Sequence, residues 1–359
     1  MHRVLRTSLG VAWLGSRSMP CIKSEEQIES NSSLKNSMSE FRILERQKEN
    51  EPLTLVDFAA MEADLCGPKL KFIFFGETHT DSVAQDLEIL TYKKLTEQSS
   101  RNINNFGFFQ PKRKRWALAL EFLSRDKQDF VNQYLKSTEI PVSSLFLEYT
   151  DALRYGPITA LAKERGSAII AANASKRFVT YVSHYGPDVL NKIAQKGEDT
   201  DLLPPIPYPS KPLSAAYAQR LLTVWPDNQV NNQRRNNLIA SQCLWDATMA
   251  HSVLRHQQNT GDAIFLVCGR FHIEYFLGII DHIEHLLQTP FGQALSFERQ
   301  EFRVIVAIPL PAEQFDQCEN EHWNTMRHHP LLQSLADFIL FTRQENQAFH
   351  AAEEEHTTK

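Results

Sequence analysis

Five short apolar runs, spaced by longer segments with helical periodicity, constrain this chain more than any other feature. They occupy 71–75, 116–122, 167–172, 263–268 and 303–308. Each is too short for a core helix and is apolar on consecutive residues, so each reads as a strand covered on both faces. Helical segments fall at 82–98, 126–135, 144–165, 176–185, 228–258 and 274–287. This alternation predicts an α/β fold: a mostly parallel mixed sheet with helices on both faces. The stretch 202–213 carries Pro204, Pro205, Pro207, Pro209 and Pro212. No regular helix survives that, so it should lead into a helical excursion ending in 228–258.

A chain of 359 residues with 42% apolar content can bury a large core. Its net charge of -5 gives no general affinity for nucleic acid. The five cysteines form no CxxC pair and are odd in number. Neither a disulfide framework nor a cysteine zinc site is expected, and Cys243 and Cys268 read as buried small hydrophobes. No run of 18 apolar residues exists, so no membrane span is predicted. The start of the chain has Arg3, Arg6, Arg17 and Lys23, several serines and no acid before Glu25. That is transit-peptide composition, which points to a mitochondrion or plastid, with a secretory signal as the rival. Residues 25–51 read as linker or surface helix, so 1–50 is taken as transit and linker. The folded domain is then 51–345 and an acidic tail 346–359. The polar stretch 99–115 should be an exposed loop.

Two of the strands end alike. "FIFFGETHT" and "AIFLVCGRFHIEYF" both finish in Gly-x-x-His, at Gly76/His79 and Gly269/His272. Glycine lets the backbone turn sharply, and the histidine three residues on can project into the crevice above a parallel sheet. The two histidines should therefore share one sheet edge, within about 10 Å, a span one metal or ligand could bridge. Glu77 sits in the first turn, and "RWALALEFLSRDKQ" places Glu121 near the end of a third strand. His79, His272, Glu77 and Glu121 are thus a candidate metal set; alternatively Glu121 pairs with Arg125 or Arg270. On the helix 228–258, Gln242 and Asp246 fall in the stripe of Leu238, Trp245, Met249 and Val253. A buried carboxylate needs partners, so Asp246 should bond His79, His272, Arg125 or Arg270. "DHIEH", ending in His285, fits a polar outer face. Serine-hydrolase, kinase and dehydrogenase signatures are absent from the sequence.

In order along the chain, "FFGETHTDSVAQDLEIL", "ALEFLSRDKQDFVNQYL", "RYGPITALAKERGSAIIAANASKR", "ASQCLWDATMAHSV" and "LVCGRFHIEYFLGI" resemble the ChaN-like haem-binding domain. That family belongs to the Tiki group with TraB-like proteins and erythromycin esterases. The resemblance covers about residues 55–310. It implies haem binding in iron or haem handling, with a tyrosine on the iron and haem held in a homodimer. Tyr155 is the first candidate for that tyrosine, and Tyr185 and Tyr217 are its rivals. The ligand crevice would include His79, His272, Arg125, Arg270, Gln242 and Asp246. The alternative implied by the wider group is a zinc- or manganese-dependent hydrolase using Glu77, His79, Glu121 and His272.

Overall fold

The computed structural model describes residues 40–48, 51–101, 114–147, 150–197, 199–225, 231–293, 295, 297–317 and 320–344. The transit-like segment, residues 102–113 of the expected loop and the acidic tail lie outside the described residues. The strands β1 (Phe41–Glu45), β2 (Thr54–Val56), β3 (Phe72–Glu77), β4 (Trp116–Ser124), β5 (Ile169–Asn173), β6 (Ala263–Gly269), β7 (Phe302–Pro311) and β8 (Phe338–Gln344) form one sheet, in the order β2-β1-β8-β7-β3-β6-β4-β5. Pairing is parallel from β8 through β5, and β1 runs antiparallel to both β8 and β2. The mixed, mostly parallel α/β sheet predicted from the apolar runs is the fold.

Helices α1 (Phe58–Leu65), α2 (Ser82–Arg101), α3 (Gln128–Lys136), α4 (Gly156–Glu164), α5 (Lys176–Tyr185), α6 (Asp188–Gln195), α7 (Ala215–Val224), α8 (Asn232–Thr260) and α9 (Ile279–Leu287) connect and cover it. Alternation along β3 assigns the two faces. Ile73 and Phe75 pack with Leu87, Tyr92 and Leu95 of α2 and Ile158 and Ala162 of α4. Phe72 and Phe74 face the other way, into the layer of α8 and α9 with Met249, Val253, Ile279 and Ile283. Both sides of the strand are dry, which is why its sequence is apolar without alternation. Burying one such phenylalanine contributes about 1.5–3 kcal/mol. Above the strand ends, α5, α6 and the first half of α8 close a small core of their own around Phe178, Val182, Leu190 and Leu244.

Four expectations need correction. Residues 41–45, read as linker or surface helix, are a strand: "FRILE" pairs with β8 in the register Ile43↔Leu340, a partner too distant in sequence for local pattern to reveal. The predicted helix 144–165 is broken into 3-10 turns at Val142–Phe146 and Thr150–Tyr155 before α4. Pro157 explains the late start, since a proline is accepted in the first helical turn and would clash further in. The predicted helix 274–287 begins as a 3-10 turn, Glu274–Phe276, and α9 starts only at Ile279. Tyr275 (φ 64°), Phe276 (φ 59°) and Gly278 (φ 60°) adopt left-handed backbone there, which interrupts a right-handed helix. Finally, "DHIEH" is not wholly an outer face, because His282 is buried.

β5 is an edge strand, and a side chain covers it. The Gln128 amide donates to the Ile169 carbonyl at 2.9 Å and accepts from the Ala171 N–H at 2.8 Å.

Candidate functional site: a histidine–carboxylate crevice

The neighbours β3, β6 and β4 end side by side, with Glu77 in register with Gly269. The two Gly-x-x-His turns pack directly on each other. A Cβ at Gly76 would lie 2.7 Å from the Arg270 Cα and 2.8 Å from the Ile273 side chain. Glycine at Gly76 is therefore what lets the second turn close over the first. A Cβ at Gly269 would meet His79 Cε1 at 3.0 Å and the Glu121 carboxylate at 3.5 Å. His79, Glu121 and His272 consequently share one sheet edge, as the paired motifs predict.

His272 is buried between two carboxylates. Its Nδ1 lies 2.5 Å from Asp246 Oδ1, and its Nε2 lies 3.3 Å from Glu121 Oε1. The Gln242 amide is 3.1 Å from the same Nδ1. Burial opposes a charge on this ring, but Glu121 and Asp246 outweigh it and raise the imidazolium to about 10. Burial likewise works against the Glu121 charge; His272, His79 and the Gly269 N–H, which donates to Glu121 at 2.6 Å, bring it down to about 2. Tyr217 donates its hydroxyl to the other oxygen of Asp246. Asp246 is thus fully buried and partnered by His272, one of the four groups the helical stripe suggested.

His79 is the accessible histidine, with 47% of its side chain exposed. Its Nδ1 sits 2.7 Å from Glu77 Oε1, and the same oxygen accepts the Tyr155 hydroxyl at 2.6 Å. That leaves Nε2 as the free ring nitrogen on the crevice side. Burial lowers the proton affinity of His79, yet the Glu77 hydrogen bond and the charges of Glu77 and Glu121 lift it above the ordinary value. Phe122 walls the site, edge-on to His79 (4.8 Å) and stacked on Tyr155 (4.1 Å).

Other expected members are elsewhere. Arg125 is buried and turned away from the crevice, toward the Leu203 carbonyl (2.7 Å), Ser252 Oγ (2.9 Å), the Thr248 carbonyl (3.0 Å) and His251 Nδ1 (2.9 Å). It clamps the excursion to the sheet and pairs with no carboxylate in these contacts, and burial, with Arg255, lowers it to about 9. Arg270 pairs with buried Glu274 at 3.0 Å, which also holds Arg220 at 2.5 Å. Neither arginine partners Glu121.

The metal reading finds His79 Nε2 open but little else. Both nitrogens of His272 face carboxylates, and Nδ1 of His79 is taken by Glu77. Among the described residues no group of three or more His, Cys, Asp or Glu is arranged to hold a metal ion, so the zinc or manganese alternative at Glu77, His79, Glu121 and His272 gains no support. Haem ligation by the buried tyrosines fits no better. Tyr155 and Tyr217 are each 1% exposed with hydroxyls committed to carboxylates. Burial and those carboxylates push both phenols well above the ordinary range, away from tyrosinate. Tyr185 is 75% exposed, with Tyr181 one turn earlier on α5 also exposed. A group that sequence reasoning missed is Glu88. It lies in the apolar stripe of α2 as Asp246 lies in that of α8, and the same signal would have found it.

Fold and crevice together define an α/β protein with a buried imidazolium and an accessible, carboxylate-oriented histidine at the sheet's C-terminal edge. The model of the family "haem-binding uptake, Tiki superfamily, ChaN" matches residues 68–283, more than half of the chain. The chain belongs to that family. Among solved structures it is similar to ChaN of Campylobacter jejuni, whose structure is described as cofacial haem binding. That match has 16% identity and a TM-score of 0.55, over 85% of this chain and 98% of that one. A mutant erythromycin esterase EreC in its open conformation matches at 12% identity and a TM-score of 0.39, over 84% and 97%. No curated protein matches the chain. Among the described residues no helix is long and apolar enough to cross a membrane.

Proposed function

We propose that this protein binds haem or a related tetrapyrrole through Tyr185. The observation that carries the choice of ligand is exposure: Tyr155 and Tyr217 are sealed against carboxylates, while Tyr185 stands out from α5. Membership of a haem-binding family supports the ligand class. A phenolate suits ferric iron, and an exposed one can reach a haem held between two copies of the chain. The N-terminal composition supports haem handling inside an organelle. The test is hemin titration followed by visible absorption. Tyr185→Phe should lose the ferric tyrosinate bands and weaken binding at least tenfold, about 1.4 kcal/mol, and Tyr155→Phe should keep the spectrum. Loss in Tyr155→Phe with an unchanged Tyr185→Phe would reject the assignment, and no hemin binding by the native chain would reject the function.

A second reading rests on His79. An exposed imidazole whose Nδ1 is fixed by a buried carboxylate has Nε2 free to take a proton, the geometry of a general base. On this reading the crevice hydrolyses a small ester without a resident metal. Turnover of generic esters, abolished in His79→Ala and indifferent to chelators, would support it; inertness of the native protein toward them would set it aside.

A further inference from the structure

The opposite end of the same strands, where β3, β4 and β6 begin, carries a pocket of about 540 Å³ that neither reading uses. Lys69, Lys71, Lys114 and Arg115 line it, against Asp262 and Glu301. Backbone hydrogen bonds fix several of these residues at the strand starts. The Lys71 N–H donates to the Glu301 carbonyl (2.7 Å), the Ile264 N–H to the Lys71 carbonyl (2.8 Å) and the Ala263 N–H to the Arg115 carbonyl (2.8 Å). Two of the cations meet the two acids: Lys71 Nζ lies 2.5 Å from Glu301 and Arg115 Nε 2.8 Å from Asp262. The other two have no carboxylate partner among the described residues. Lys69 donates to the Gln300 amide oxygen at 3.2 Å, and Lys114 to the Gly67 carbonyl at 3.0 Å. That carbonyl also accepts from the Leu70 N–H (3.3 Å), closing the turn that presents Lys69. Lys114 is thus tied to the turn that carries the second lysine.

We propose that this pocket binds a small phosphate-bearing anion, held by Lys69 and Lys114. Four cations against two acids leave two positive charges in its wall. The C-terminus of α8 borders it at Thr260 and offsets about half a charge, so more than one positive charge still awaits a partner. Each ammonium has three N–H donors, and the contacts above use one on each lysine. A phosphate group offers three strong acceptor oxygens to the spare donors, where a carboxylate offers two. Lys114 also lies over the Trp116 ring at 4.6 Å, and burial there pulls its ammonium down to about 8. A bound anion supplies the counter-charge that the protein withholds. The recess is concave and of the size of small-molecule sites, which suits a solute and not the flat face of a membrane. Among the described residues no aromatic side chain lines it, so it is built for the anion and not for a stacked base.

Calorimetric titration of the full chain with inorganic pyrophosphate tests this. The native protein should bind it saturably, and Tyr185→Phe should bind it equally well, so the outcome is separate from that of the hemin titration. Lys69→Gln and Lys114→Met should each weaken binding about tenfold, the worth of one hydrogen bond to a charged group. Lys48→Gln, which removes an exposed cation paired with Glu51 outside this pocket, should change nothing. Vesicles of phosphatidylglycerol, which offer the same chemistry as a lipid headgroup, should capture no protein. No saturable binding, undiminished binding in either lysine variant, or capture by such vesicles in place of free pyrophosphate would each overturn the proposal. Should Lys114→Met fail to fold, Lys69→Gln, exposed on its turn, decides alone.

Discussion

His272 keeps its proton because both ring nitrogens are aimed at carboxylates, and that has a cost at high pH. Its folded value is raised to about 10 from 6.5, so the stability it contributes is complete below about pH 6.5 and fades as pH rises toward 10. Glu121 is depressed to about 2 from 4.5, so its share is present above about pH 4.5 and lost below. Asp81, raised to about 6 from 3.8, and Glu88, also raised, act in the same sense as His272: their stability is lost with rising pH. Thermal stability should therefore peak on the acid side of neutrality and fall between about pH 6.5 and 10. Asp246→Asn removes one of the two carboxylates and should flatten the alkaline limb while lowering stability by roughly 3–5 kcal/mol, as breaking a buried ion pair does. A melting profile with its maximum above about pH 8 would contradict this account of the imidazolium.

At the level of the element, the left-handed stretch after β6 is what brings His272 onto Asp246. At Gly278 (φ 60°) a Cβ would fall 2.4 Å from the His272 carbonyl oxygen and 3.5 Å from the Asp246 carboxyl carbon. Gly261, which caps α8 at φ 73°, has open space around it. The pair makes a controlled comparison. Gly261→Ala should cost about 1 kcal/mol from backbone conformation alone, whereas Gly278→Ala adds a steric clash and should cost at least about 1–2 kcal/mol more. Chemical denaturation measures the difference; equal losses would mean the segment relaxes freely. None of this was legible in "RFHIEYFLG", because Tyr275 and Phe276 carry no left-handed preference and their conformation is imposed by packing. β3 and β6 were legible, since a strand dry on both faces writes its burial into consecutive residues. β1, β2 and β8 were not, because what fixes them is pairing between the two ends of the domain. Both Gly-x-x-His turns were readable as a site, yet the sealing of Tyr155 was not, as its partner Glu77 lies on another element.

Across the whole molecule, Asp81 ties the turn after β3 to Thr342 and Gln344 of β8, the strand two places away in the sheet. Asp81→Ala should strip β8 of that anchor, cost roughly 2–4 kcal/mol and speed hydrogen exchange in β8 and β1 together; exchange unchanged in both strands would show the tie to be dispensable. The two borders of the sheet are finished differently. β2 is only three residues long, whereas β5 relies on the Gln128 amide standing in for a neighbouring strand. A row of unsatisfied peptide groups is a template on which another extended chain can add. One glutamine, then, shuts the β5 border: without it the Ile169 carbonyl and Ala171 N–H would stand open to an added strand.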